Sequence, residues 1–555
     1  MKRLYVMVSL LMLALVIMAQ PSWVKKASKS VFTLKTFSAD GALIGSATGF
    51  YVGKDGEAVS CFAPFKGAQK AVVIDADGKE YQVKCLLGAN ETYDVAKFRV
   101  ATSKSQPVTQ ASAQPVSGSA VWLLPYGQAK RASEGTLRKQ ETFNSNYAYY
   151  TIAIQMPENT MGAPLFSNDG EVLGLMQQPA TQTDTLNYAV SVLFADSLKM
   201  TGLSINDPVM RATGIKKALP EDIGQAQLTL FIGGSSLDSL AYTQLIEDFI
   251  QQFPNHPDGY TYRAQQLTEG RRFADAEKDM MQALKVADKP DEIHYAFSRL
   301  MMQKLVYMAD VPYEPWTLDR CYEEAGEAYR LNPQPSYRQQ QAVVRYAQQQ
   351  YDDAFAIYES LFASSLRSPE LFYAASVCKE QQKDTTAQLA LLDSCVAQFS
   401  KPYMKEAAPY LMGRAQVLVN MGRYRAAVSD YNEYESLMKA QVNSNFYYLK
   451  FQAEVSGRLY QQALDDIDKA IMMTPQSDLY YAEKASLQVR LGLYDEAIPT
   501  ATTCIELAPD HSDGYLFLGL AQCLKGQKAE GVKNLQKAKE LGDAQADGLI
   551  EKYSK

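Results

Sequence analysis

One short segment recurs late in this 555-residue chain, as Gly422-Arg-Tyr-Arg-Ala-Ala427 and again as Gly492-Leu-Tyr-Asp-Glu-Ala497. Looser versions end at Ala276, Ala354, Ala387, Ala463 and Gly531, and from Ala354 onward the closing small residues are spaced 33, 40, 36, 34 and 34 apart. A period near 34 is that of a stacked helix–turn–helix unit. Two antiparallel helices approach closely only where both are small, and Ala264, Ala342, Ala375, Ala415, Ala485 and Gly519 stand at the matching place on the first helix, with Phe451 replacing it once. Tyr260, Tyr447, Tyr481 and Tyr515 fill a large aromatic position, and Pro333, Pro475 and Pro509 end second helices. The spacing predicts an all-α array over 228–555 of about seven repeats. The second is degenerate, between Asp291 and Pro333, with an insertion around Asp310 to Trp316. At helical spacing those tyrosines read first as repeat packing, with a peptide-lining role as the alternative.

Before the array the period is different. Val31 to Phe37, Thr48 to Val52, Lys70 to Ile74, Tyr81 to Leu86 and Val95 to Val100 have strand length and β-branched or aromatic content. A second series runs Ala120 to Leu124, Tyr147 to Ile154, Glu171 to Met176 and Tyr188 to Val192. Turn pairs such as Asp55-Gly56, Asp77-Gly78 and Asp169-Gly170 punctuate them. Many short strands with few helices predict an all-β barrel or sandwich over 28–205, with 206–227 as a linker.

Within this half, Gly56-Glu-Ala-Val-Ser-Cys-Phe-Ala-Pro-Phe-Lys-Gly-Ala68, Tyr93-Asp94-Val-Ala-Lys-Phe-Arg-Val100 and Asn159-Thr-Met-Gly-Ala-Pro-Leu-Phe166 stand in order, followed by Asn168-Asp-Gly-Glu-Val-Leu-Gly174 and Asn187-Tyr-Ala-Val190. The segment from about Ser30 to Ser197 resembles the HtrA-type branch of trypsin-like serine proteases, which implies a double β-barrel. The helical half resembles tetratricopeptide (TPR) arrays, which implies an α solenoid that binds peptides or proteins. In the protease family the three motifs carry a histidine, an aspartate and a serine; here they carry Ala63, Asp94 and Met161. A Ser-His-Asp mechanism needs an imidazole to take and return the nucleophile's proton. The three histidines of the chain (His256, His294 and His511) all lie beyond the first 255 residues. Asn159 replaces the first glycine of the nucleophile motif, which alters the turn that supplies oxyanion donors. Unconventional alternatives are Cys61 as nucleophile, or Ser60 with Lys66 as a dyad. The resemblance therefore implies a pseudoprotease with no catalytic residues.

A formal net charge of −7 and a pI near 5.4, with no clustered Lys/Arg stripe, argue against nucleic-acid binding. Lys2 and Arg3 precede an apolar run from Leu4 to Ala19, the pattern of a secretory signal peptide over 1–20. An uncleaved anchor is the alternative and would be the chain's one membrane contact. Export would permit disulfides among the seven cysteines, with Cys61–Cys85, Cys378–Cys395 and Cys504–Cys523 as conceivable pairs and buried thiols as the equal alternative. No Cys/His spacing suggests a metal, and no motif suggests a cofactor. The expectation is an exported scaffold of the bacterial periplasm or envelope that binds protein or peptide partners. The alternatives are an active envelope peptidase and a holdase-type chaperone.

Overall fold

The computed structural model describes residues 20–126, 131–156, 160–178 and 186–554, so the expected signal segment lies outside the described residues, as does Asn159. The chain divides into two compact units, Met1–Ala287 and Asp288–Lys555.

In the first unit β1 (Val31–Phe37), β2 (Leu43–Tyr51), β3 (Glu57–Ser60), β4 (Lys70–Ile74), β5 (Glu80–Asn90) and β6 (Val95–Val100) close into a barrel in the order β1-β2-β3-β6-β5-β4. A second barrel follows the same logic: β7 (Ala120–Leu123), β8 (Ser133–Phe143), β9 (Tyr147–Ala153), β10 (Pro164–Ser167), β11 (Val172–Met176) and β12 (Leu186–Ser191), ordered β10-β11-β12-β9-β8-β7. Closure leaves no open sheet edge. Each barrel fills its own interior, the first with Phe32, Phe65 and Phe98, the second with Leu137, Ile152 and Leu165. A third cluster welds them together: Phe50, Val59 and Cys61 of the first meet Phe166, Leu175 and Val190 of the second. Trp23 and Val24, at the start of α1 (Val24–Ala27), join that seam, with the Trp23 ring 4.7 Å from Phe166. Gln20 makes a reciprocal pair with the backbone of Ala132, 2.7 and 3.1 Å.

Three strands are not marked by an apolar run. β8 has a single buried residue, Leu137, so alternation is lost in its polar sequence, while β3 and β10 are four residues long and sit inside the motif segments.

The segment 206–227, expected as a linker, is tied to the first barrel. After α2 (Pro208–Arg211), Gly214 N–H donates to the Ala68 carbonyl, Leu86 N–H to the Lys216 carbonyl and Ala218 N–H to the Leu86 carbonyl, each at 2.8 Å. Ile215 is buried in that barrel's core. The chain then enters α3 (Ile223–Ser236), α4 (Ser239–Gln252), α5 (Pro257–Glu269) and α6 (Phe273–Val286). Lys216 reaches Asp248 of α4 at 2.6 Å and Gln252 reaches the Pro220 carbonyl at 2.8 Å. The first helices and the barrels are thus one unit.

The second unit is helical: α7 (Pro290–Tyr307) and α8 (Leu318–Leu331), α9 (Pro335–Ala347) and α10 (Tyr351–Ser360), α11 (Pro369–Gln381) and α12 (Thr385–Val396), α13 (Ala408–Asn420) and α14 (Tyr424–Met438). Then come α15 (Ser444–Ser456) and α16 (Tyr460–Met473), α17 (Asp478–Leu491) and α18 (Tyr494–Leu507), α19 (Ser512–Leu524) and α20 (Lys528–Glu540), with α21 (Ala546–Tyr553) last. Consecutive helices pair as hairpins. With α5–α6 that makes eight hairpins among the described residues against the roughly seven expected. The α7–α8 pair is the expected degenerate second repeat, with a long first helix and the Asp310–Trp316 connection. Trp316 is buried there, edge-on to Phe297 at 5.9 Å.

The small residues do sit at the crossings. Ala264 and Ala276, Ala342 and Ala354, Ala415 and Ala427, and Ala485 and Ala497 are all fully buried. The tightest crossing is Gly519 against Gly531, where a Cβ on Gly531 would meet the Gly519 carbonyl at 2.6 Å and the Cys523 sulfur at 2.4 Å. An ion pair to a buried aspartate also recurs in register. Arg263 forks onto Asp279 at 2.7 Å, Arg414 onto Asp430 at 2.7 and 2.8 Å, and Lys450 reaches Asp466 at 2.7 Å. Each base precedes the first-helix crossing residue and each acid follows the second-helix one by three. Replacing a helix-interior glycine by alanine ordinarily stabilises by about 1 kcal/mol. At Gly531 the backbone contact reverses the sign, so Gly531→Ala is expected to lower stability by about 1–3 kcal/mol in urea or thermal unfolding; an unchanged or raised midpoint would contradict the crossing geometry.

Candidate functional site

Ala63 opens a single 3-10 turn, Ala63–Phe65, directly after β3. Asp94 stands between β5 and β6 at φ +49°, in a turn closed by its own N–H on the Glu91 carbonyl at 3.2 Å. This left-handed backbone is tolerated by aspartate. It aims the carboxylate at the start of the turn, where Oδ1 accepts the Ala63 N–H at 2.7 Å. Two of the three motif positions are therefore in direct contact, and the carboxylate's partner is a peptide group.

Met161 lies in a turn in which Ala163 N–H donates to the Thr160 carbonyl at 2.9 Å, with Gly162 at φ +79°. Gly162 is required twice over, because a Cβ there would also meet the Thr48 carbonyl at 2.2 Å. The Met161 carbonyl accepts the Thr48 N–H at 2.8 Å, which fixes this loop of the second barrel on β2 of the first. Its thioether is half-buried against the seam cluster, as is Tyr93.

The alternative nucleophiles are held differently. Cys61 is fully buried, its sulfur 3.7 Å from the Met176 carbonyl, and burial followed by the negative charge of Asp94 pushes its thiol well above the usual range. Thiolate, not thiol, attacks carbonyls, so this environment suppresses the reactive form. The buried Ser60 hydroxyl donates to the Thr48 carbonyl at 2.8 Å, and Lys66 is exposed and paired with Glu91 at 2.5 Å, so the two do not form a dyad. All seven cysteines are unpaired thiols, so Cys61–Cys85, Cys378–Cys395 and Cys504–Cys523 are not disulfides. Six of the seven are buried, as small hydrophobes are. Among the described residues no cluster of His, Cys, Asp and Glu could hold a metal.

Sequence reading missed the aromatic wall beside these positions. Tyr93 lies tilted against Phe143 at 4.2 Å and meets Phe194 at 5.3 Å; Phe143 contacts Tyr147 at 5.7 Å; Tyr149 stacks on Tyr188 at 5.8 Å. Gln177 bolts the wall together, its amide donating to the Tyr93 carbonyl at 2.8 Å and its oxygen accepting from the Tyr149 hydroxyl at 2.5 Å. Apart from buried Phe194, these rings are half-exposed. The alternation of aromatics in Tyr147-Ala-Tyr149 was the available signal.

In the helical half, Tyr260 is buried with its hydroxyl on the Pro254 carbonyl at 2.9 Å, Tyr447 donates to Glu435 at 3.1 Å, and Tyr515 packs on the core of the last hairpins. Those three are packing residues; Tyr481 is half-buried.

Residues 47–175 match the trypsin-like peptidase domain family. The barrel half is a trypsin-like domain. The curated relatives carry the other half of the comparison. The small glutamine-rich tetratricopeptide repeat-containing protein 2 of Saccharomyces cerevisiae is 22% identical over 191 residues, covering 32% of this chain and 55% of that protein. The TPR repeat-containing thioredoxin TDX of Arabidopsis thaliana is 29% identical over 87 residues, 16% of this chain and 23% of that one. The chain thus spans about half the length of the first relative and about a quarter of the second. Among solved structures, the Rv3671c protease from M. tuberculosis in its active form aligns at 17% identity and TM-score 0.29, over 32% of this chain and 82% of that one. The serine endoprotease from Yersinia pestis aligns at 15% and 0.28, over 34% and 65%. Fold and relatives together describe a trypsin-like double barrel followed by a TPR solenoid.

The packing around Cys61 makes a direct forecast. In the folded trypsin-like domain Cys61 is expected to resist iodoacetamide at mildly alkaline pH, and to alkylate readily once unfolded. Peptide mapping by mass spectrometry reads this, and rapid native labelling of Cys61 would reinstate it as a candidate nucleophile.

Proposed function

We propose that this protein is an exported interaction scaffold. In this reading its trypsin-like domain has no hydrolytic chemistry and its TPR array binds peptide or protein partners. The observation that carries the reading is that the residue in contact with the Asp94 carboxylate, through an N–H donor at 2.7 Å, is an alanine with no side chain able to transfer a proton. No histidine occurs in the first 255 residues to fill that role. With Met161 in place of a hydroxyl, neither proton transfer nor acyl transfer has a group to carry it.

What the domain offers instead is a surface. A wall of half-exposed rings beside Met161 and Asp94 presents large contact area at low side-chain entropy cost, the composition typical of binding hot spots. The TPR relatives support protein partners for the helical half. Export rests on Lys2, Arg3 and the apolar run to Ala19, and places the protein in a bacterial periplasm or envelope. Among the described residues no helix is long and apolar enough to cross a membrane.

The test is affinity capture from the envelope of the source cell with the full chain as bait, beside a Tyr93→Ala/Phe143→Ala variant. Partners retained by the wild type and weakened about 30-fold or more by the double substitution support a binding cleft, that being the cost of losing about 2 kcal/mol of aromatic anchor. If the wild type retains nothing above background, the scaffold reading fails.

A further inference from the structure

The helical unit contains a carboxyl group that its surroundings cannot neutralise. Glu454, on α15, is completely buried, and neither of its carboxyl oxygens has a hydrogen-bond partner. The cations near it are already committed. Lys450, 4% exposed, sits 2.7 Å from Glu435 of α14 and 2.7 Å from Asp466 of α16, but 4.0 Å from Glu454. Lys469 of α16 bonds Asp466 at 2.7 Å and Glu435 at 3.0 Å, and the Tyr447 hydroxyl also donates to Glu435. The neighbouring charges are spent too. Arg414 and Asp430 hold one another, Lys484 of α17 reaches Asp468, and Glu483 takes the Tyr448 hydroxyl. Two ammonium groups therefore face three carboxyls, and Glu454 is the surplus. An ionised carboxylate there would be buried beside Asp466 with no donor of its own, an arrangement whose desolvation cost is several kcal/mol.

We propose that Glu454 is a proton-binding site of the array, and that release of this proton loosens the α15–α16 hairpin. Burial, and then the charge of Asp466, push Glu454 up to about 8. The sign follows from linkage. The unfolded chain ionises Glu454 near its ordinary value of about 4.5, whereas the folded chain keeps the proton until near 8. The stability it contributes is present at low pH and lost as pH rises through that window. Glu435 has the opposite sense, because its lysine partners hold it below its ordinary value, so its contribution is lost only in acid. The two are separable by pH.

The test uses the full-length protein and hydrogen–deuterium exchange, corrected for intrinsic rates, at about pH 7 and about pH 9. Wild-type protection in Ser444–Ser456 and Tyr460–Met473 is expected to fall about tenfold between them, the change that one proton with this affinity produces. Glu454→Gln, which mimics the protonated group, is expected to hold its protection within about twofold over the same range. Equal pH dependence in the two proteins would overturn the proposal. Infrared difference spectra supply a readout that does not depend on stability. A protonated carboxyl stretch is expected in the wild type at neutral pH and missing in Glu454→Gln, and its absence from the wild type would equally overturn it.

Discussion

The bond between Ala63 N–H and the Asp94 carboxylate organises the trypsin-like domain. It ties the turn after β3 to the start of β6. In the same corner Cys61 is buried with its sulfur on the Met176 carbonyl, and Tyr93 packs its ring on the seam between the barrels. A carboxylate that accepts a backbone donor at an exposed turn is satisfied without an imidazole. With alanine at position 63, the Asp94 carboxylate is therefore not left as a buried unpaired charge. The Met161 position is likewise self-consistent: its carbonyl takes the Thr48 N–H, and its thioether covers apolar surface that a serine would leave open.

The helical half obeys a different constraint, the closeness of two helices at one point per hairpin. Small residues at that crossing let backbones approach, most tightly at Gly519 and Gly531. Beside the crossing, a base on the first helix and an aspartate on the second repeat the same bridge at Arg263, Arg414 and Lys450. Bridges to a buried acid contribute more to register than to net stability, because desolvation offsets most of the attraction. In the Lys450 hairpin the surplus carboxyl of Glu454 makes this register device proton-dependent.

Much of this architecture was legible in the sequence, for physical reasons that also mark where legibility ended. The repeat was visible because Ala and Gly recur where helices touch, and it faded at Asp291–Pro333, where a longer helix and the buried Trp316 interrupt the pattern. Strands with one buried face showed as alternation, whereas β8, with Leu137 alone buried, did not. The motif positions Ala63, Asp94 and Met161 could be read from their neighbours, and the structure places Ala63 and Asp94 in contact. The attachment of 212–218 to the first barrel was illegible, since it is made by backbone groups that any side chains can supply. The aromatic wall was missed because Tyr93, Phe143 and Tyr188 meet only through the tertiary fold.

The central claim is that a trypsin-like fold persists here without proton-transfer chemistry. It is tested most directly by covalent labelling of the purified full-length protein with a fluorophosphonate probe, alongside the Ala63→His/Met161→Ser variant. The account predicts no labelling of the wild type and labelling at position 161 once both groups are supplied, since Asp94 is already in place to orient an imidazole. Stoichiometric labelling of the wild-type protein, lost on Ser60→Ala, would contradict it.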